Sequence, residues 1–450
     1  GRHRVKGRRI LLVNAPHTDA GEEIRRFSRP WPALDLLNCA ALLRSRGHDA
    51  GLLDYRAESF TDGTLRAAIR WADRIVVTTT PLDRWQCPTL NTGALFRFIR
   101  RFPSEKTFVA GTHGTMKPEW VLRETGAAGI IVGEPESAME SLAAEGDPAG
   151  RPGLAVLRDG GLIRNRAAPL DLTSFPVPAF DLLRLEKYRY ELLGERFLLL
   201  EAARGCPYAC TFCSREMYGK PVRRKHVDQV IEEIRRARVE TNFLCAYFID
   251  LEFTFHRAPV IELCEKLLAL PFHFDWACQT RLDQVDEDLL LLMRRAGCRL
   301  IHLGVESGSV KHNKLLKKGI ALDKIRAQHA LVKRCGFETA LFFLIGHPGE
   351  TPDEQRETIQ FACDLDPDYA SFHIASPYPG TTFHETSEHF AEPFPAFDSH
   401  HHKLADLDQM RRHALRKFYL RPRYIARSLQ PHRFRHALHG GAELFWRLLS

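Results

Sequence analysis

Three of the eleven cysteines stand together in Arg204-Gly205-Cys206-Pro207-Tyr208-Ala209-Cys210-Thr211-Phe212-Cys213. Thiolates spaced C-x3-C-x2-C can wrap one face of an iron–sulfur cubane. Three ligands leave the fourth iron open to a substrate or cofactor, which a four-cysteine electron carrier does not allow. Two other readings fit the same residues. Spacing of i, i+4, i+7 is also one face of a buried helix, although Gly205 and Pro207 oppose a helix there. A zinc site completed by a ligand such as His226 is the other. Structural zinc usually shows paired C-x2-C halves, and no second pair is present. The remaining cysteines are mostly single residues in apolar stretches (Cys39, Cys264, Cys298, Cys335), so a disulfide framework is not expected.

A second group with chemical potential is Asp250 and Glu252 in Phe248-Ile249-Asp250-Leu251-Glu252. Period-2 alternation directs both to one face of a strand end. There they could act as acid and base, or serve only as structural hydrogen-bonders.

Such groups need a scaffold, and the chain is long enough for two or three domains. It has 450 residues, 44% hydrophobic and 27% charged, as in an ordinary globular protein. No apolar run approaches the ~20 residues of a membrane helix. Gly1-Arg2-His3-Arg4 leads into Ile10–Val13 without a signal-peptide core, so a cytoplasmic protein is expected. Residues 1–165 alternate strand and helix. The strands are Ile10–Val13, Ala50–Asp54, Ile75–Thr78, Thr107–Ala110 and Ile130–Val132. The helices are Ala33–Arg46, Leu65–Ala72 and Thr92–Phe102. Strands this apolar predict a parallel sheet covered on both faces, with any ligand beyond their carboxyl ends. Prolines punctuate a linker at 166–190. Residues 191–385 repeat the pattern with six strands, at Phe197–Glu201, Phe243–Ile249, His273–Ala277, Leu300–Val305, Ala340–Ile345 and Tyr369–Ile374. The intervening helices are predicted at Val227–Ala237, Pro259–Leu270, Asp286–Ala296, Leu322–Cys335 and Pro352–Cys363. Six strands so spaced suggest a partial barrel with function at the strands' carboxyl ends. Residues 386–450 form a basic, partly helical region.

The fold expected is therefore α/β, a Rossmann-like domain followed by a partial (β/α)6 barrel. The net charge of +8 belongs to the tail. From Arg411 to Ser450 ten basic residues face one acidic one, which leaves the other 410 residues at −1. Tyr419, Tyr424 and Phe434 among these cations would suit nucleic acid. A solvated helix packed on the barrel or on a partner is the preferred reading.

The cysteine segment, with Phe212 before its last thiol, resembles the signature of the radical S-adenosylmethionine (SAM) superfamily. Other segments match in order: Gln279-Thr280-Arg281, Gly304–Ser309 (GVESGS), Gly346–Thr351 (GHPGET) and Pro377–Thr381 (PYPGT). Thr107–Thr115 and Ile131–Glu136 resemble the N-terminal cobalamin-binding-type domain of one subclass. The resemblance implies a [4Fe-4S] cluster on Cys206, Cys210 and Cys213, with SAM chelating the open iron. Reductive cleavage of SAM then gives a 5′-deoxyadenosyl radical, with an electron donor such as flavodoxin. It implies that Glu306 and Ser307 hold the SAM ribose or amino group, and that Gly304 lets the backbone approach. Arg281 would pair with the SAM carboxylate, a surface salt bridge being the alternative, and Gln279 stands beside it at the same strand end. Gly346 and Pro348 would shape the adenine pocket, and Phe212 would touch adenine. Tyr378 is a candidate for substrate contact or proton transfer.

Cobalamin itself is an open expectation. Thr78–Thr80 and Gly111–Gly114 could cradle a corrin edge, whereas Arg84 and Trp85 could fill that space. In size and plan the chain is similar to radical SAM diol dehydratases of apramycin-type aminoglycoside biosynthesis, members of antibiotic-producing pathways. Dehydration of a sugar diol, with Asp250, Glu252 or Tyr378 as acid and base and a partner reductase acting on the product, is the first expectation. A cationic aminoglycoside would require a carboxylate-lined pocket. Cobalamin-dependent methyl transfer to an unactivated carbon or to phosphorus is the alternative. A nucleic-acid or partner-binding protein with a structural cluster is the third. No membrane partner is expected.

Overall fold

Buried aliphatic side chains alternate along the first strand, and this builds the first sheet. The computed structural model describes residues 7–16, 30–219, 221–385, 394 and 402–428. It divides into two compact units: residues 7–16, 30–188 and 214–243, and residues 189–213 with 244 onward. In the first, β1 (Arg9–Asn14), β2 (Asp49–Asp54), β3 (Arg74–Thr78), β4 (Thr107–Ala110) and β5 (Gly129–Ile131) run parallel. The sheet order is β2-β1-β3-β4-β5-β6-β7. Ile10 and Leu12 enter one core with α1 (Leu34–Ser45), while Leu11 and Val13 enter another with α2 (Asp62–Trp71), α3 (Thr92–Ile99) and residues beyond Met116. This is the two-faced burial expected of a parallel sheet. Helices α4 (Thr112–Met116), α5 (Pro118–Thr125) and α6 (Met139–Ala143) follow β4 and β5. An antiparallel hairpin of β6 (Leu154–Arg158) and β7 (Gly161–Arg164), absent from the sequence reading, closes one edge.

The second unit opens with the short strands β8 (Arg189–Tyr190) and β9 (Gly194–Glu195). Then come β10 (Phe197–Leu200) and the two-residue β11 (Ala203–Arg204). Beyond β12 (Arg223–Arg224) and α7 (Val227–Thr241), which lie in the first unit, strand and helix alternate: β13 (Cys245–Phe248), α8 (Arg257–Leu268), β14 (Asp275–Thr280), α9 (Glu287–Arg295), β15 (Cys298–Glu306). After α10 (Val310–Leu315) and α11 (Leu322–Arg334) come β16 (Glu338–Ile345), α12 (Pro352–Leu365) and β17 (Tyr369–Ile374). The six long strands pair in parallel in chain order, β10-β13-β14-β15-β16-β17, which is the partial-barrel plan. Right-handed crossovers in a sheet of that order put the helices on one face. Residues on that face, such as Phe248, Cys278, Leu303, Leu341 and Phe343, are fully buried. Those facing the other way include the half-exposed Gln279, Gly304, Phe342 and Ser371, so this is the inner face.

Past β17 come α13 (Thr382–Glu385), α14 (Leu404–Tyr419) and α15 (Pro422–Ser428). Helix α14 packs on the last strand and buries Leu407, Ala414, Leu415, Phe418 and Tyr419. The expected short helical C-terminal region is thus present. Its packing on the barrel is the reading preferred from sequence. Phe434, His400 and His401 lie outside the described residues.

Candidate active site

The cysteine segment begins where β10 and β11 end. Its root is a buried ion pair in which Arg204 Nε and Nη2 donate to the two oxygens of Glu201, at 2.8 and 2.9 Å. Gly205 adopts φ +107°, a conformation that breaks any helix and turns the chain outward. The segment is irregular from Gly205 on, so the buried-helix reading does not hold. Cys206 is buried, and Cys210 and Cys213 are half-buried. The loop is tied from two sides. Thr211 N donates to Leu316 O at 3.2 Å, and Phe383 N donates to Thr211 O at 3.3 Å.

Among the described residues no three His, Cys, Asp or Glu side chains converge on a single point as around one metal ion. That leaves the zinc reading without a ligand set. A cubane does not demand such convergence, because each thiolate binds a different iron. Three thiols on one irregular loop, free of disulfides, with two partly open to solvent, fit that cluster. Burial pushes the Cys210 thiol up, and the charges of Lys318 and Arg281 oppose this.

Those two cations belong to a network beside the loop. Arg281, following β14, is buried rather than on the surface. Its Nε and Nη2 donate to Asp283, each at 2.9 Å, and Nη2 also donates to Lys318 O at 2.6 Å. Its guanidinium lies 4.0 Å over the ring of Tyr208, between the first two cysteines. Much of the group expected to meet the SAM carboxylate is therefore already engaged within the protein. Lys318 Nζ donates to Glu306 Oε1 at 2.6 Å, both side chains being buried. Gly304 is required by that pair. A Cβ there would stand 2.2 Å from Glu306 Oε1 and 2.3 Å from Lys318 Nζ. Glu306 itself holds φ +70°, a sparsely populated region for a residue with a side chain.

Ser307 is fully buried. Its Oγ lies 3.3 Å from Thr358 Oγ1 and accepts from Ser309 N, so it fastens the turn to α12. Gly346 has φ +93°, with Leu407 of α14 against its Cα, and Glu350 Oε2 accepts from the amides of Gly346 and His347. Pro348 and Phe212 are half-buried. Tyr378 is half-buried in the exit loop of β17, and its carbonyl accepts from Thr381 Oγ1 at 2.7 Å.

Asp250 and Glu252 do not share a strand face, because β13 ends at Phe248. Asp250 is buried and its Oδ1 accepts from Ala202 N at 2.8 Å. Glu252 is half-buried, and its Oε2 accepts from Arg281 N at 3.1 Å. Burial pushes Glu252 up to about 8, against Lys318 and Arg281. Gln279 donates through Nε2 to Leu251 O at 3.2 Å. Sequence reasoning missed Lys318, Asp283 and Tyr208. Only Tyr208 carried a signal, as an aromatic inside the cysteine segment.

In the first unit the carboxyl ends of β3 and β4 are threonine-rich. Trp85 is fully buried beside them, donating through Nε1 to Thr80 O and accepting at its carbonyl from Thr112 Oγ1. Tyr218 meets Trp85 edge-on at 5.1 Å. Trp85 thus fills space, as the sequence allowed, whereas Arg84 stays exposed beside Asp83. Asn14 Oδ1 at the end of β1, Asn38 Oδ1 on α1 and Asp83 Oδ1 after β3 are buried without hydrogen-bond partners among the described residues. Gly133, after β5, has open space where a Cβ would stand. Buried acceptors left unsatisfied in this way fit a ligand rich in amide donors, and a corrin is such a ligand.

Residues 200–362 match the family described as the radical SAM superfamily. An uncharacterized methyltransferase of Pyrococcus horikoshii is 28% identical over 449 residues, covering 95% of this chain and 96% of its own. The anaerobic magnesium-protoporphyrin IX monomethyl ester cyclase of Rubrivivax gelatinosus is 27% identical over 87% of this chain and 71% of its own. Among solved structures, the cobalamin-dependent SAM radical enzyme OxsB with aqua-cobalamin bound superposes with a TM-score of 0.65 at 20% identity. That match covers 84% of this chain and 55% of OxsB, and it establishes the shared fold.

Proposed function

We propose that this chain, whose residues 200–362 match the radical SAM superfamily, is a cobalamin-dependent methyltransferase acting on a small molecule. The reading is carried by the near end-to-end match to a protein named a methyltransferase. The buried acceptors of Asn14, Asn38 and Asp83 in the first unit, unsatisfied among the described residues, support it. When bound, the cluster with SAM would supply a 5′-deoxyadenosyl radical and cobalamin would supply the methyl carrier. The protein's own task is placement and exclusion of water. Cys206, Cys210 and Cys213 would hold the cluster. The Glu306–Lys318 pair and Arg281 would shape the SAM site beside it, and Gly346, Pro348 and Phe212 would border its adenine. Glu252 and Tyr378 would be the groups to exchange a proton, since Asp250 accepts from the Ala202 amide. An external one-electron donor, such as flavodoxin, belongs to this reading. Diol dehydration draws no support from the relatives, which are named a methyltransferase and a cyclase.

The test is anaerobic reconstitution with iron, sulfide and hydroxocobalamin, followed by desalting and an absorption spectrum. Stoichiometric retained cobalamin, and S-adenosylhomocysteine formed beside 5′-deoxyadenosine, are expected. Protein that keeps its cluster but washes free of cobalamin contradicts methyl transfer by this route. Replacing Cys206, Cys210 and Cys213 by Ala should abolish both the cluster and 5′-deoxyadenosine. SAM cleavage by that triple variant would overturn the assignment of the cluster.

A further inference from the structure

The outward side of helices α14 and α15 is basic, and two aliphatic side chains stand within it. From Gln409 to Ser428 there are seven Arg or Lys residues and no Asp or Glu. Helix α14 buries Leu415, Phe418 and Tyr419. His413, Arg416, Lys417 and Leu420 stay exposed, and residues spaced in this way share one helical face. Leu420 N donates to Arg416 O at 3.0 Å, so Leu420 continues that face past the end of α14. Leu420 is 57% exposed, and Ile425 of α15 is 44% exposed. Arg423, between them in sequence, has a side chain 83% exposed.

Much else at this end is already engaged within the protein. Asp366 pairs with Arg421 at 3.0 Å and with Arg427 at 3.2 Å, and Arg423 stands 3.4 Å away. One carboxylate among three guanidiniums leaves positive charge over, and Arg423 is the most exposed of the three. The aromatic rings are engaged too. Tyr424 Oη donates to Asp368 O at 3.1 Å, and its ring meets that of Tyr419 at 4.9 Å. Arg421 lies 4.2 Å over the ring of Phe418, and Arg427 lies 5.2 Å over that of Tyr424. A nucleic acid binds through aromatic platforms that are open to its bases. Tyr419 and Tyr424, which suited that role by sequence, are spent on internal packing.

We propose that the face carrying Arg416, Lys417, Leu420, Arg423 and Ile425 rests on an anionic lipid bilayer and holds the protein at a membrane surface. Charge complementarity is the first basis. Lys and Arg side chains within a Debye length of a negatively charged leaflet are drawn to it. The two aliphatic side chains are the second. A protein partner needs a closely fitted apolar centre, which two separate side chains do not make. A headgroup layer is deformable and accepts each apolar side chain singly at its boundary with the acyl chains. Contact of this kind needs no spanning helix, and among the described residues none is long and apolar enough to cross a membrane. The sequence alone led to no membrane partner, and these exposed side chains revise that expectation. The inference does not rest on the methyltransferase reading.

The anaerobically reconstituted whole chain is sedimented with vesicles of phosphatidylcholine alone and of phosphatidylcholine mixed with phosphatidylserine. Binding should be confined to the anionic vesicles and should fall as salt is raised. Lys417→Gln with Arg423→Gln should weaken it about twentyfold, from about fivefold for each cation. Leu420→Ser with Ile425→Ser should weaken it several-fold and leave its salt dependence unchanged. All four positions are exposed, and Asp366 keeps Arg421 and Arg427, so both double variants should fold. A single-stranded oligoribonucleotide is titrated in parallel. The proposal is overturned if anionic vesicles do not bind, if neutral vesicles bind equally well, or if either double variant binds like the parent. RNA binding that Lys417→Gln with Arg423→Gln abolishes, without vesicle binding, would assign the face to nucleic acid instead.

Discussion

The contact among Gly304, Glu306 and Lys318 shows how tightly single residues determine the candidate site. Three requirements meet within a few ångströms: a glycine without room for a methyl group, a carboxylate at positive φ, and a buried ammonium 2.6 Å away. Removing one partner of a buried pair leaves the other desolvated and unpaired. Lys318→Met should therefore destabilise the second unit by about 3–5 kcal/mol, and adding Glu306→Gln should recover much of it. Thermal melting of the three proteins checks this, and a single variant as stable as the parent would contradict it. Gly304 and Glu306 were legible because they lie in a recognisable run, GVESGS. Lys318 was not, because nothing marks one lysine of Lys317-Lys318 as the buried one. The buried cluster of Tyr190, Tyr247 and His302 was equally hidden, because strand register sets Tyr247 and His302 on one face while Tyr190 reaches them from the separate β8–β9 pair.

At the scale of elements, helix α14 closes an open sheet. Strand β17 is an edge, and an edge exposes unpaired amides and carbonyls. Tyr419 answers both groups of one residue, since its hydroxyl accepts from Ala370 N at 3.1 Å and donates to Ala370 O at 2.8 Å. The basic stretch after it is likewise occupied. Arg421 and Arg427 pair with Asp366 and donate to the carbonyls of Cys363 and Pro367, which lie at the C-terminus of α12. Cations are favoured at that end of a helix. Tyr419→Phe should cost about 1–3 kcal/mol. Leu407→Ala, at the contact with Gly346, should cost about 2–5 kcal/mol. Lys417→Ala, on the exposed face, should stay within about 0.5 kcal/mol. Denaturant unfolding measures all three, and a Tyr419→Phe variant no weaker than Lys417→Ala would remove the edge-sealing role. The apolar strands were legible because burial on both faces leaves continuous Val, Ile and Leu runs. The hairpin of β6 and β7 was not, because Gly161–Arg164 is largely exposed and lacks that signal. Its turn residues Asp159 and Gly160, both at positive φ, were the available clue.

For the molecule as a whole, buried titratable groups set the pH at which it is most stable, and two sets act in opposition within the second unit. His302 and His347 are driven down to about 3 and His329 to about 4, in each case chiefly by burial. Their unfolded counterparts take up protons below about 6.5, which the folded state refuses. Stability conferred by the neutral rings is therefore present above pH 6.5 and falls as the pH drops below it. Glu252 and Glu350 are pushed up to about 8 and about 7, again by burial. Folded, they keep protons that the unfolded chain releases above its ordinary carboxyl range, so their effect is a loss of stability as the pH rises toward 8. Stability changes by about 1.4 kcal/mol per pH unit for each proton of difference. At pH 5.5 three histidines outweigh two carboxyls, and unfolding takes up about one net proton, so stability climbs with pH. Above pH 7 the balance reverses. Thermal unfolding followed from pH 4.5 to 8.5 should thus peak between about pH 6 and 7. The sides of the peak separate by substitution. His329→Gln should flatten the acid side and leave the alkaline side, whereas Glu252→Gln should raise the melting temperature at pH 8 and change it little at pH 5. A melting temperature that keeps rising through pH 8 would mean that Glu252 and Glu350 are not protonated in the folded protein, and their burial would then carry no such cost.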